Sequence, residues 1–172
     1  MGAINYHFGT KQDLVAAVFT RRLEPVSKRQ WALLDEVEQE SGDRPPRLEA
    51  LIEAMTRPSV ERSFAAGRRN TAFMRLVGRC YGEPNPEVER SIRSHLEKVW
   101  MRFAGLGTHT LPGLTPEDVY WRIRFMVGAF HHTLLTIGRE GNVPPEMRKG
   151  LNAEAMIRRL VTFAAAGMRA EI

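Results

Sequence analysis

Cysteine is nearly absent. Cys80 is the single thiol in 172 residues, so no internal disulfide can form and a disulfide-stapled framework is excluded. A lone thiol also suits a reducing interior better than an oxidising one. No apolar run approaches the roughly 18 residues that a bilayer-spanning helix needs. The opening MGAINYHFGTKQ lacks the basic segment and following hydrophobic stretch of a secretory signal. A cytoplasmic protein with no membrane partner is therefore expected. Strand-like alternation, internal repeats and low-complexity segments are missing too. Catalytic motifs are equally scarce: there is no GxSxG, no P-loop and no dinucleotide glycine fingerprint. The histidines His7, His95, His109, His131 and His132 include no i, i+4 pair, and the adjacent pair diverges by about 100° on a helix. Neither a metal site nor a cofactor nor an enzymatic activity is expected.

What is present is 43% hydrophobic and 26% charged residues, the balance of one soluble globular unit that can bury its own core. Lys and Arg number 25 against 20 Asp and Glu, a net charge of +5, which favours anionic partners such as nucleic acid. Apolar residues recur at spacings of three and four through most of the chain, so the fold class is all-α. Punctuation falls at Gly9-Thr10, Gly42 to Pro46, Gly82 to Pro86, Gly113 to Pro116 and Asn142 to Pro145. The first long helix should start at Lys11, with Thr10 as its N-cap and Asp13 in the first turn, and run to about Glu40. Pro25 should kink it or break it in two. Later helices are predicted over about 46–57, 68–81, 86–106, 116–139 and 153–170.

Helical faces separate core from contact surface. Val88, Ile92, Leu96, Val99, Phe103 and Leu106 form one stripe, the pattern of a helix with a single buried face. The 116–139 helix has two. Val119, Ile123, Met126, Phe130, Leu134 and Ile137 line one, while Trp121, Phe125, Gly128, Ala129 and His132 lie nearly opposite. In the last helix Met156, Leu160, Phe163, Ala164 and Gly167 share a face, broadened by Ile157, Val161 and Met168. Either both helices are central to one core, or they form a subunit interface, for which a two-fold homodimer is the commonest solution. The interface set is then Trp121, Phe125, Gly128, Ala129, His132, Ile157, Val161 and Met168. His132 is either a satisfied core or interface histidine or a pocket ligand. Cys80 shares a stripe with Phe73, Leu76 and Val77 and is expected to be buried and inert. Among Arg62, Arg68, Arg69, Arg75 and Arg79, a stretch without acids, Arg68, Arg75 and Arg79 lie opposite that stripe as a solvated face. Arg69 either lays its stem over the core or meets an anionic ligand in a cavity.

The most specific stretch is Gly2-Ala3-Ile4-Asn5-Tyr6-His7-Phe8-Gly9-Thr10-Lys11-Gln12-Asp13-Leu14. Tyr6 and His7 can donate to phosphate oxygens, and Lys11 adds a cation at a helix N-terminus that already favours anions. Taken alone, Tyr6, His7 and Phe8 could also be an aromatic plug before a long helix. The ordered run resembles the end of the helix-turn-helix domain in the TetR family of one-component transcriptional regulators. It matches at Gly2, Ile4, Tyr6, His7, Phe8, Lys11, Asp13 and Leu14, with Asn5 where an aromatic residue is usual. The resemblance implies that Tyr6, His7 and Lys11 touch the DNA backbone and that Gly2, Ala3 and Asn5 lie where base edges are approached. It also implies an all-α regulatory domain whose last two helices form a four-helix bundle with a partner subunit.

The family's head has three helices, and this chain begins at the third. Roughly 30–40 residues would precede it, and the chain as it stands is expected to bind DNA weakly or not at all. The resemblance divides the chain into a partial helix-turn-helix over 1–25 and a ligand-binding and dimerisation domain over 26–172. It implies a repressor, partnered in full-length form by operator DNA and released from it by an apolar or aromatic small-molecule effector. Arg69, Phe73, Met74, Val77, Trp100, Phe103, Met126 and Phe130 are the expected pocket residues. The rival readings are a headless helical dimer that binds a ligand or blocks a complete regulator, and a small all-α enzyme using His132.

Overall fold

The computed structural model describes residues 10–66, 72–73, 76, 86–137 and 143–171. Helix α1 spans Lys11–Ser41. Its start is dictated locally: Asp13 N donates to Thr10 Oγ1 at 3.2 Å and Thr10 N donates to Asp13 Oδ2 at 2.8 Å. Two of the N–H groups at a helix start, which have no partner within the helix, are thereby satisfied by a reciprocal box. Pro25 lies inside α1 without ending it, so of the two outcomes the sequence allows, the break does not occur. The helix stops at Gly42, whose positive φ of 57° glycine adopts without penalty.

Helix α2 covers Leu48–Ala66, nine residues beyond the predicted end at 57. It continues through Pro58, which is buried. The missing N–H leaves the Ala54 carbonyl without its helical donor, and packing outweighs that loss, because Leu48, Leu51, Ile52, Met55 and Val60 are all fully buried. The predicted 68–81 helix lies outside the described residues except for 72–73 and 76, which are helical. Helices α3, Pro86–Thr110, and α4, Pro116–Ile137, follow. A short α5 spans Pro145–Arg148, and α6 spans Ala153–Arg169 with the Asn152 side chain accepting from Ala155 N at its start. The described residues contain these helices and no strand.

Polar ties set the relative directions. Thr20 meets Ser91 at 2.9 Å, and Arg102 reaches Asp35 at 2.6 Å and Glu38 while stacking over Trp31, so α1 and α3 run parallel. The α1–α2 turn makes α2 antiparallel to α1, and Gln30 Nε2 donates to Met55 O across that seam at 2.6 Å. Ion pairs fasten both ends of α6 to α2: Glu154 to Arg57 at 2.8 Å, and Arg169 to Glu49 through two parallel hydrogen bonds. These helices are therefore antiparallel. One buried cluster runs through Leu34, Ile52, Met55, Val99, Phe103, Met126, Phe130, Ile157, Leu160 and Met168, joining α1, α2, α3, α4 and α6.

Candidate functional site

The second face of α4 is uncovered. Trp121 is 50% exposed and Phe125 69%, while Gly128 and His132 are exposed and Ala129 is half-buried. Their spacing of roughly four residues puts them on one stripe, and the Trp121 and Phe125 rings stack at 6.2 Å. On neighbouring α6, Phe163 is 67% exposed. A Cβ added at Gly128 or Gly167 would touch nothing within 4 Å in the protomer. The smallness of these glycines therefore serves no contact within the described chain and leaves room for a close approach from outside. Isolated exposed apolar residues are ordinary, whereas adjacent stacked aromatics flanked by glycine form a patch.

Three residues assigned to subunit contact from the sequence lie elsewhere. Ile157 and Met168 are 1% exposed and Val161 is buried, all within the protomer's own core. They have no surface to offer a partner, because α6 turns that side toward α2 and α4. Phe163, which the sequence groups with Leu160 on one face, is instead turned outward. The buried residues Ile157, Leu160, Val161, Ala164, Ala165 and Met168 recur at spacings of three and four, a single inward face that excludes Phe163.

Arg122 was not singled out by the sequence reasoning, although it falls on the buried stripe between Val119 and Met126. It is 7% exposed and donates from Nη1 to Met168 O at 2.7 Å. The guanidinium thereby satisfies a carbonyl at the α6 C-terminus, the negative end of the helix dipole. A charged residue interrupting an apolar stripe was the available signal. Further along α4, burial and the nearby Arg124 charge hold the His131 imidazole down at a pKa of about 4, so it is neutral at pH 7.

The expected pocket residues are only partly brought together. Phe103, Met126 and Phe130 belong to the core, and half-buried Trp100 meets Phe103 edge-on at 5.6 Å. Phe73 packs instead on Phe19 of α1 at 5.3 Å, beneath the Arg22 guanidinium. Arg69, Met74 and Val77 lie outside the described residues, as does Cys80. A groove of about 190 Å³, half-open to solvent, lies at a different place, between α1 and α2. Leu33, Val37, Ala50 and Ala54 line it, with Glu36, Glu40, Glu53 and Arg57 as its polar residues. Arg57 is already held by Glu53, Glu61 and Glu154.

Gly2, Ala3, Asn5, Tyr6 and His7 lie outside the described residues, and so does the side chain of Lys11; the backbone of Lys11 opens α1. Among the described residues no three His, Cys, Asp or Glu side chains are grouped to hold a metal ion, and no helix is long and apolar enough to cross a membrane. Comparison with known families matches residues 53–167 to the tetracyclin repressor-like C-terminal domain. That span is more than half of the chain and runs from within α2 into the last turn of α6. No curated protein matches.

Proposed function

Since the chain belongs to the tetracyclin repressor-like family, we propose that it is the effector-sensing and dimer-forming part of a DNA-binding transcriptional repressor. The observation that carries this reading is the uncovered aromatic face of α4 beside α6. Trp121, Phe125, Gly128, Ala129 and His132, joined by Phe163, meet the same residues of a second copy across a two-fold axis. The three aromatic rings alone expose roughly 350–400 Å² per protomer, taking about 200 Å² for a fully exposed aromatic side chain. With the intervening residues this approaches the roughly 800 Å² per partner of a stable interface.

The rest of the mechanism follows from continuity. Helix α1 begins directly after the segment whose sequence resembles a recognition helix, and that resemblance supports a DNA-contacting role for Gly2, Ala3, Asn5, Tyr6, His7 and Lys11. An apolar or aromatic effector in the helical domain releases the operator only if it binds the DNA-competent and DNA-incompetent arrangements unequally. Uniformly tight binding shifts nothing.

Sedimentation equilibrium tests the reading. The 19.5 kDa chain should sediment at twice that mass, and Phe125→Asp combined with Phe163→Asp should return it to monomer with its helical content intact. A monomeric wild-type chain, or a dimer indifferent to both changes, would overturn it.

A further inference from the structure

The half-open groove between α1 and α2 combines two kinds of lining. Leu33 and Val37 of α1, with Ala50 and Ala54 of α2, enclose about 190 Å³ with aliphatic surface, and no aromatic ring lines it. Glu36 and Glu40 contribute carboxylates from α1, one helical turn and so about 6 Å apart along the axis. Glu53 contributes a third from α2.

The charge at the groove is negative even after its ion pairs are counted. Arg29 meets Glu36 at 3.0 Å, and Arg57 is shared among Glu53, Glu61 and Glu154. With Glu40, five carboxylates stand against two guanidiniums, a net charge of −3. Both bonds from Arg57 to Glu53 fall on Oε1, which leaves Oε2 as an acceptor. An anion is therefore repelled, and a cation is the complementary occupant.

The spacing selects the kind of cation. Among the described residues no three acidic side chains are grouped closely enough to hold a metal ion, so a point charge would meet one carboxylate and leave the others. Cages for quaternary ammonium groups are built from aromatic faces, which this lining lacks. An extended aliphatic cation fits both features. Its primary ammonium groups donate charge-assisted hydrogen bonds to separate carboxylates, and the methylenes between them cover Leu33, Val37, Ala50 and Ala54.

We propose that the α1–α2 groove binds an aliphatic diamine or polyamine, one ammonium held by Glu36 and Glu40 on α1 and another by Glu53 on α2. The site goes beyond the effector-sensing reading, because none of the residues expected from the sequence to form an effector pocket lines it. A cation held in this way bridges two helices. Glu40 stands two residues before the Gly42 turn, so the bridge fastens α1 to α2 close to where they join.

The test is a chemical-shift titration of the isotope-labelled 172-residue chain at low ionic strength, where exposed charges are least screened. Hexamethylenediamine, hexylamine and hexanediol share one hydrocarbon chain and differ in charge. Two exposed charge pairs of about two- to fivefold each predict that the diamine binds roughly 4- to 25-fold more tightly than the diol, with hexylamine between them. The shifts should centre on Leu33, Val37, Ala50 and Ala54. Glu36→Gln combined with Glu40→Gln keeps both side chains nearly the same size at exposed positions; it should weaken the diamine by about two- to fivefold and leave the diol unchanged. Ala50→Leu fills the groove and should weaken all three ligands. Glu117→Gln, exposed on α4, alters net charge away from the groove and should leave the diamine's affinity as it is. Shifts centred elsewhere, a diamine no tighter than the diol, or a diamine indifferent to the glutamate pair would each overturn the proposal. An equal loss from Glu117→Gln would do the same, by showing attraction to net charge alone.

Discussion

Arg122→Met removes one charge from the protein interior while leaving the aliphatic stem to fill the same space. The head group that is lost donates a 2.7 Å hydrogen bond from Nη1 to Met168 O. A hydrogen bond to a charged group contributes about 1.5–3 kcal/mol, and the carbonyl left behind sits where the α6 dipole is most negative. A loss of about 1.5–3 kcal/mol is therefore expected. For a chain of this size each kcal/mol moves Tm by about 2–4 °C, so melting should fall by about 3–12 °C. Urea unfolding followed by circular dichroism at one fixed protein concentration provides the assay, which holds constant any coupling of folding to association. The midpoint should drop with the slope unchanged. Arg90→Met, at an exposed position on α3, should change stability by no more than about 0.5 kcal/mol. A loss below about 0.5 kcal/mol at Arg122 would refute the reasoning, because it would mean that the guanidinium gains as much from water as from the helix end.

Two pH-dependent outcomes occupy different windows. Burial lowers His131 from its ordinary 6.5 to about 4, so below 6.5 the unfolded chain takes up a proton that the folded one refuses. Stability is complete above 6.5 and declines toward 4, by about 3 kcal/mol at 1.36 kcal/mol per pH unit. His131→Phe should flatten that slope in a series of urea midpoints, and an unchanged slope would move its origin to another group. The hydrogen bonds from Arg169 depress Glu49 from 4.5 to about 2, so its contribution is present above 4.5 and is lost as pH falls from 4.5 toward 2. Because both side chains are about a third or more exposed, screening limits the gain to about 0.2–1 kcal/mol. Glu49→Gln should cost that much at pH 7 and nothing at pH 2, and equal costs at both would show that the carboxylate charge is irrelevant.

Where local chemistry decided the outcome, the sequence was legible. Thr10 and Asp13 sit three apart, the spacing at which both side chains reach each other's backbone, and α1 starts there. Trp121, Phe125 and Gly128 read as a second apolar face because one helix cannot bury opposite sides against one partner. Tertiary packing decided the rest. Pro58 would stop an isolated helix, yet α2 continues because its flanking residues are buried against other elements. On α6 the buried stripe runs through Ile157, Leu160, Val161, Ala164, Ala165 and Met168, and Phe163 falls outside it because packing against α2 and α4 selects that stripe. Gln30 was not legible on the buried stripe: its amide is held by a bond to a carbonyl 25 residues away, and no spacing rule reports that. The groove had no sequence signature either, since it forms only where α1 and α2 fold back on each other.

The length of α1 converts small adjustments into large ones. Its 31 residues extend about 46 Å at 1.5 Å per residue. Treated as a rigid rod swivelling at the Gly42 turn, a tilt of only about 5° carries the far end, Lys11, through about 4 Å. That exceeds a hydrogen-bond length, so phosphate contacts made at that end would be out of reach while the core had hardly moved. In a two-fold pair the displacement is doubled, because the symmetry axis sends the two tips in opposite directions. Side-chain rearrangements of a few tenths of an ångström beside the turn are thus enough, through leverage, to alter the spacing of two distant tips.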